Sequence, residues 1–88
     1  MPAAVQVLVS DYGATRVVLF GSLARDEAGP ASDVDLLVEG LDDSLLFDAI
    51  AACSRVLGTE ADLVPAHRAR PSVRARVEQE GLVLHGAR

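Results

Sequence analysis

Two acids set two residues apart, Asp33-Val34-Asp35, open an apolar run that continues through Leu36-Leu37-Val38. With ten residues between, Gly21-Ser22 upstream closes another apolar run, Val17-Val18-Leu19-Phe20. A strand repeats every two residues, so both carboxylates would point to one face. Carboxylates side by side repel each other and favour a bound cation. Hard oxygen ligands of this kind suit Mg²⁺ shared with substrate phosphates. Glycine without a Cβ allows a sharp turn or a close backbone approach. Ser22 stands where an N-cap would stand, so the N–H groups behind it would offer an anion site suited to phosphate. Carboxylates and phosphate-binding amides at one sheet end would serve metal-assisted phosphoryl or nucleotidyl transfer.

Other residues could join that chemistry or be bland. Asp62 interrupts the apolar Ala61 and Leu63-Val64, and a solvated strand start would explain it as simply. Arg25, one turn after Ser22, either neutralises phosphate or partner charge or is solvated. His67, Arg68, Arg70, Arg74 and Arg76 form a basic cluster that reads best as a solvated face. Cys53 and His85 read as packing residues, and no His/Cys group has zinc-site spacing.

The elements that must position these groups follow from periodicity and punctuation. Ala4, Val5, Leu8, Val9 and Tyr12 share a helical stripe over 3–12. A Val-rich strand is the alternative there, but Pro2 at the start and Gly13 at the end favour a helix. Residues 16–20 are β-branched and aromatic and read as a strand. A short helix over 22–27 and a loop over 28–32 lead to a strand at 33–39. Asp42 or Asp43 caps a helix at 43–57, with Leu45, Leu46, Ala49, Ile50, Cys53, Val56 and Leu57 inward and Gly58 at its end. A strand at 60–64 stops at Pro65, a helix spans 71–80, and Leu82–His85 form a short last strand. The expected class is α/β (α+β), with a small mixed sheet of three to four strands flanked by helices. Gly21 ends the first strand and Asp33 begins the second, so one site can use both only if these strands run antiparallel. Asp62 joins them if the third strand lies parallel to the second through a crossover helix.

Composition narrows the partners. At 88 residues with 50% hydrophobic and 24% charged residues, the chain fits a single globular domain over 1–88. The net charge of −5 argues against sequence-independent nucleic-acid binding, which needs basic surface. All eight basic residues are Arg, which reads as genomic base bias rather than function. A lone Cys forms no disulfide framework. No signal peptide and no membrane-length apolar run is present, so the expected location is the cytoplasm.

Gly-Ser-x-Ala-Arg at 21–25, followed by Ser-Asp-x-Asp-Leu-Leu-Val at 32–38, resembles the signature of the polymerase-β-like nucleotidyltransferases. The string looks most like their smallest branch, the minimal nucleotidyltransferases. That resemblance implies the nucleotidyltransferase fold and a Mg²⁺-dependent transfer of AMP from ATP to a hydroxyl, with two metal ions. It implies Asp33, Asp35 and Asp62 as metal-binding and catalytic residues, with Asp62 as base or metal ligand. It places Gly21, Ser22, Arg25 and Ser32 on the nucleotide side. The family usually carries Gly where this chain has Asp26, followed by Glu27, and these acids must point away from bound phosphate. Larger relatives carry a helical acceptor domain, for which 88 residues leave no room. The resemblance therefore implies a separate HEPN-type toxin as partner, modified on a tyrosine, with this chain as antitoxin. A non-catalytic antitoxin acting by contact is the alternative reading, and transfer to a small molecule such as an antibiotic is a third.

Overall fold

A computed structural model describes residues 2–21 and 34–86. Helix α1 (Pro2–Tyr12) leads into strand β1 (Arg16–Phe20), and β2 (Val34–Glu39) follows. A 3₁₀ turn (Asp43–Leu45) opens helix α2 (Leu46–Leu57). Strand β3 (Ala61–Pro65), a second 3₁₀ turn (Ala66–Arg68), helix α3 (Pro71–Glu80) and strand β4 (Leu82–His85) complete the order. The four strands form one mixed sheet in the order β3-β2-β1-β4. Strand β1 runs antiparallel to both β2 and β4, and β2 runs parallel to β3. The expected sheet is therefore observed, with α2 as the crossover between the parallel pair. Parallel neighbours cannot be joined by a tight turn, and a helix is the usual crossover between them.

Strand alternation divides the core between two faces. Val17, Leu19, Val34, Leu36, Val38, Ala61 and Leu63 join Ala4 and Leu8 of α1 and Ala49 and Cys53 of α2. Val18, Phe20 and Leu37 bury the other face, packed against Val73 and Val77 of α3. A buried thiol disfavours its charged form, and this burial pushes the Cys53 thiol up from its ordinary value.

Local chemistry sets the helix ends. Asp42, rather than Asp43, is the cap: its Oδ1 accepts from the Ser44 N–H and from the Ser44 hydroxyl, both at 2.9 Å. Those two bonds, the backbone one first, hold the Asp42 carboxyl below its usual value. The Ser54 hydroxyl oxygen accepts from the Ala61 N–H at 3.0 Å, tying the end of α2 to the start of β3.

Three expectations need correction. Val56 is 45% exposed, because Leu57, four residues after Cys53, takes the inward contact and leaves Val56 beside the stripe. His85 is exposed rather than packed, at the last position of an edge strand. Pro65 ends β3 inside the pairing, in register with Val38. It is tolerated there because β3 is an edge strand, so its missing N–H costs no ladder bond on the outer side.

Candidate active site

Register assembles the site. Phe20, the last residue of β1, pairs with Asp35 across the antiparallel ladder. Asp35 in turn pairs with Asp62 across the parallel one. Each lies two residues from a member of the α3-side core: Phe20 from Val18, Asp35 from Leu37, Asp62 from Val64. The three side chains therefore stand on one face of three neighbouring strands. Asp35 is half-buried and Asp62 exposed. Adjacent strands lie about 4.8 Å apart, so two carboxylates stand side by side without either belonging to the core.

Gly21 shapes the corner beside them. Its φ is +84°, a left-handed value that suits glycine. A Cβ built on it would collide with Asp35 Oδ2 and lie 3.3 Å from Asp35 Cγ. The absent side chain is what lets the end of β1 pass against the carboxylate. Carboxylate oxygens beside an open backbone corner form a donor set that fits a hard cation such as Mg²⁺.

Of the residues singled out from the sequence, Gly21, Asp35 and Asp62 come together here. Ser22, Arg25, Ser32 and Asp33 lie outside the described residues, as do the expected helix at 22–27, the loop at 28–32, Asp26 and Glu27. Among the described residues no group of three His, Cys, Asp or Glu side chains forms a metal cluster.

Sequence reasoning left Arg76 in a solvated face. The structure gives it partners: Cζ lies 5.7 Å from the centroid of the Phe20 ring, and Nε donates to Glu80 Oε1 at 3.3 Å. The four-residue spacing of Arg76 and Glu80 on a helix was the available signal for the ion pair. Nothing local could have announced Phe20, which is 56 positions away in the chain. His67, Arg68, Arg70 and Arg74 are exposed, and His67 and Arg74 lie at the other flank of α3. Arg74 Nη2 donates to the Ala66 carbonyl at 2.8 Å, and His67 Nε2 lies 2.9 Å from Asp43 Oδ1. A cavity of about 450 Å³ opens there, lined by Arg16, Glu39, His67, Arg74 and Glu78 above Leu37 and Val77.

The nucleotidyltransferase domain model matches residues 3–84, nearly the whole described fold. The chain belongs to the nucleotidyltransferase family. A Methanocaldococcus jannaschii relative of this nucleotidyltransferase, named a putative protein adenylyltransferase, is 32% identical over 74 residues, covering 81% of this chain and 80% of its own. A solved structure of a putative minimal nucleotidyltransferase is 35% identical, with a TM-score of 0.73, over 92% of this chain and 85% of that one. The fold also matches the crystal structure of a toxin-antitoxin with AMP-PNP, at a TM-score of 0.85 and 23% identity, over 98% of this chain and 73% of that one. It matches a tri-AMPylated Shewanella oneidensis HEPN toxin in complex with MNT antitoxin, at a TM-score of 0.67 and 23% identity, over 84% of this chain and 58% of that one. No helix among the described residues is long and apolar enough to cross a membrane.

Proposed function

We propose that this nucleotidyltransferase, as one domain over 1–88 in the cytoplasm, transfers AMP from ATP to a tyrosine hydroxyl of a HEPN-type toxin and so acts as its antitoxin. The observation that carries the reading is the register pairing of Asp35 with Asp62 beside the Gly21 corner. Support for the nucleotide comes from the AMP-PNP complex of like fold, and for the acceptor from the AMPylated HEPN toxin seated with its antitoxin. The net charge of −5 favours a protein partner over nucleic acid.

In this reading Asp33, Asp35 and Asp62 would hold two Mg²⁺ ions. When bound, the metal would supply Lewis-acid polarisation of the α-phosphate and a lowered acceptor pKa. Gly21 and Ser22 with the following amides, together with Arg25 and Ser32, hold the triphosphate. Asp62, exposed at the β3 edge, faces the acceptor and takes its hydroxyl proton. The acceptor oxygen bonds to the α-phosphorus as the bond to the bridging oxygen breaks. Pyrophosphate leaves with that electron pair.

The test is label transfer. The chain is incubated with α-labelled ATP, Mg²⁺ and a HEPN-type toxin. Label should appear on toxin tyrosine and be lost with Asp35→Asn. Toxin neutralised equally well by Asp35→Asn, with no label in either case, would instead establish an antitoxin that works by contact.

A further inference from the structure

Helix α3 crosses the site-bearing face of the sheet and has two flanks. Arg74 and Glu78 line the cavity at the Arg16–Glu39 end. Arg76 and Glu80 lie on the other flank, over Phe20, whose register partner is Asp35. Sheet order then separates two sides of the carboxylate end. Asp62 stands on edge strand β3, whereas Phe20 ends β1, two strands away, and Gly21 directly follows it. Arg76 therefore belongs to the Gly21 side, where the proposed reaction puts the phosphates.

A triphosphate bound at this end would be favoured by a cation beside it. Asp35, Asp62 and Glu80 are all acidic, and a triphosphate adds several further negative charges. Arg76 is held for such a role. Phe20 is 3% exposed and forms a fixed floor under the guanidinium. Glu80, whose side chain is 14% exposed, engages Nε. Arg76 itself is half exposed, and no described residue takes its Nη1 or Nη2. A guanidinium anchored at Nε and open at both amino groups is a fork suited to phosphate oxygens.

We infer that Arg76 binds the β- and γ-phosphates of the nucleoside triphosphate and neutralises the departing pyrophosphate, with Phe20 and Glu80 as its positioning residues. The inference rests on the nucleotidyl-transfer reading above. It assigns Arg76 to the leaving group and not to the nucleoside, and that distinction makes it testable.

ATP and AMP are each titrated, with Mg²⁺, against a fluorescent triphosphate analogue bound to the full chain. Variants are Arg76→Gln, Arg76→Lys and Arg55→Gln, the last making the same charge change on α2, on the far side of the sheet. Loss of a charge-assisted fork should weaken ATP on the order of ten-fold. AMP, which has no β- or γ-phosphate, should bind Arg76→Gln as it binds the wild type. Arg76→Lys should recover part of the ATP affinity, and Arg55→Gln should change neither ligand. Equal losses of ATP and AMP, or an unchanged ATP affinity in Arg76→Gln, would overturn the assignment while leaving nucleotidyl transfer intact. A wild-type chain that binds no triphosphate at all overturns both.

Discussion

The two ends of the sheet face crossed by α3 handle charge in opposite ways. At the far end, side chains find complementary partners and one pair is of opposite charge. Arg16 Nη1 donates to Glu39 Oε2 at 2.7 Å across β1 and β2, and His67 meets Asp43 across the loops. At the near end, like charges meet: Asp35 and Asp62 are register neighbours on β2 and β3. Strand β2 takes part in both, and the two ends are four residues apart along it, about 13 Å at strand rise. Pairing opposite charges across strands stabilises a sheet modestly, and pairing like charges destabilises it. Both patterns stand on one face of the sheet, and of the two the opposite-charge pair is the one that stabilises it. In the proposed reaction a metal ion shared by Asp35 and Asp62 would offset that repulsion, and on that reading the near end is the reaction centre and the far end is structure.

That contrast is most open to challenge at Asp62. Exposed as it is, Asp62 contributes little to the fold, so Asp62→Asn should leave the melting temperature unchanged or raise it slightly by relieving repulsion. Label transfer should fall on the order of 10²–10³-fold, the scale seen when one preorganised electrostatic contact is removed from a reaction centre. A variant that melted early and kept its activity would reverse the assignment of the two ends.

Gly21 sharpens the same contrast through the backbone. Gly13 has a comparable φ of +72°, but a Cβ there would meet nothing within 4 Å. Gly13→Ala should therefore cost only the left-handed penalty of about 1–2 kcal/mol. Gly21→Ala carries that penalty plus the collision with Asp35, so it should cost about 1–3 kcal/mol or more and also displace the carboxylate. Chemical denaturation of both variants gives the first quantity. The ratio of their transfer rates gives the second, and equal rates would mean that the Gly21 corner does not hold Asp35 in place.

Much of this architecture was legible beforehand, for physical reasons that differ by element. Strand β1 ran from Arg16 to Phe20 as expected, because a β-branched run bounded by glycine has few other uses. Helix α3 matched from Pro71 to Glu80, since Pro suits a helix start and Gly81 follows its end. The antiparallel and parallel pairings follow from the need to bring Gly21, Asp33, Asp35 and Asp62 together. Chemistry fixed the topology there where periodicity could not. Burial at the margins was less legible. Val56 has the hydropathy and nearly the phase of a core residue, and a shift of one position on the helix decided against it. The role of Arg76 was not legible at all. Its floor, Phe20, arrives only through the crossing of α3 over β1, a tertiary contact that no local pattern encodes.

The smallest expected effect lies at the far end, and it bounds the comparison from below. Glu39 is 43% exposed at its side chain and Arg16 is 27% exposed, so water screens much of their attraction. Exposed ion pairs contribute about 0.2–1 kcal/mol, and Glu39→Gln should cost no more than that. The Glu39 carbonyl, which accepts from the Thr15 N–H at 2.8 Å, survives the substitution, so the turn between α1 and β1 keeps its backbone tie. The loss should shrink further in high salt, because a partly exposed pair is screened over a distance of about 3 Å at 1 M. Label transfer should not change, since the altered side chain sits four residues along β2 from Asp35. Thermal melts at low and high salt, run beside the transfer assay, check both halves. A large drop in transfer with little change in melting would show that the cavity end takes part in the reaction, and that the two ends of this face work as one site.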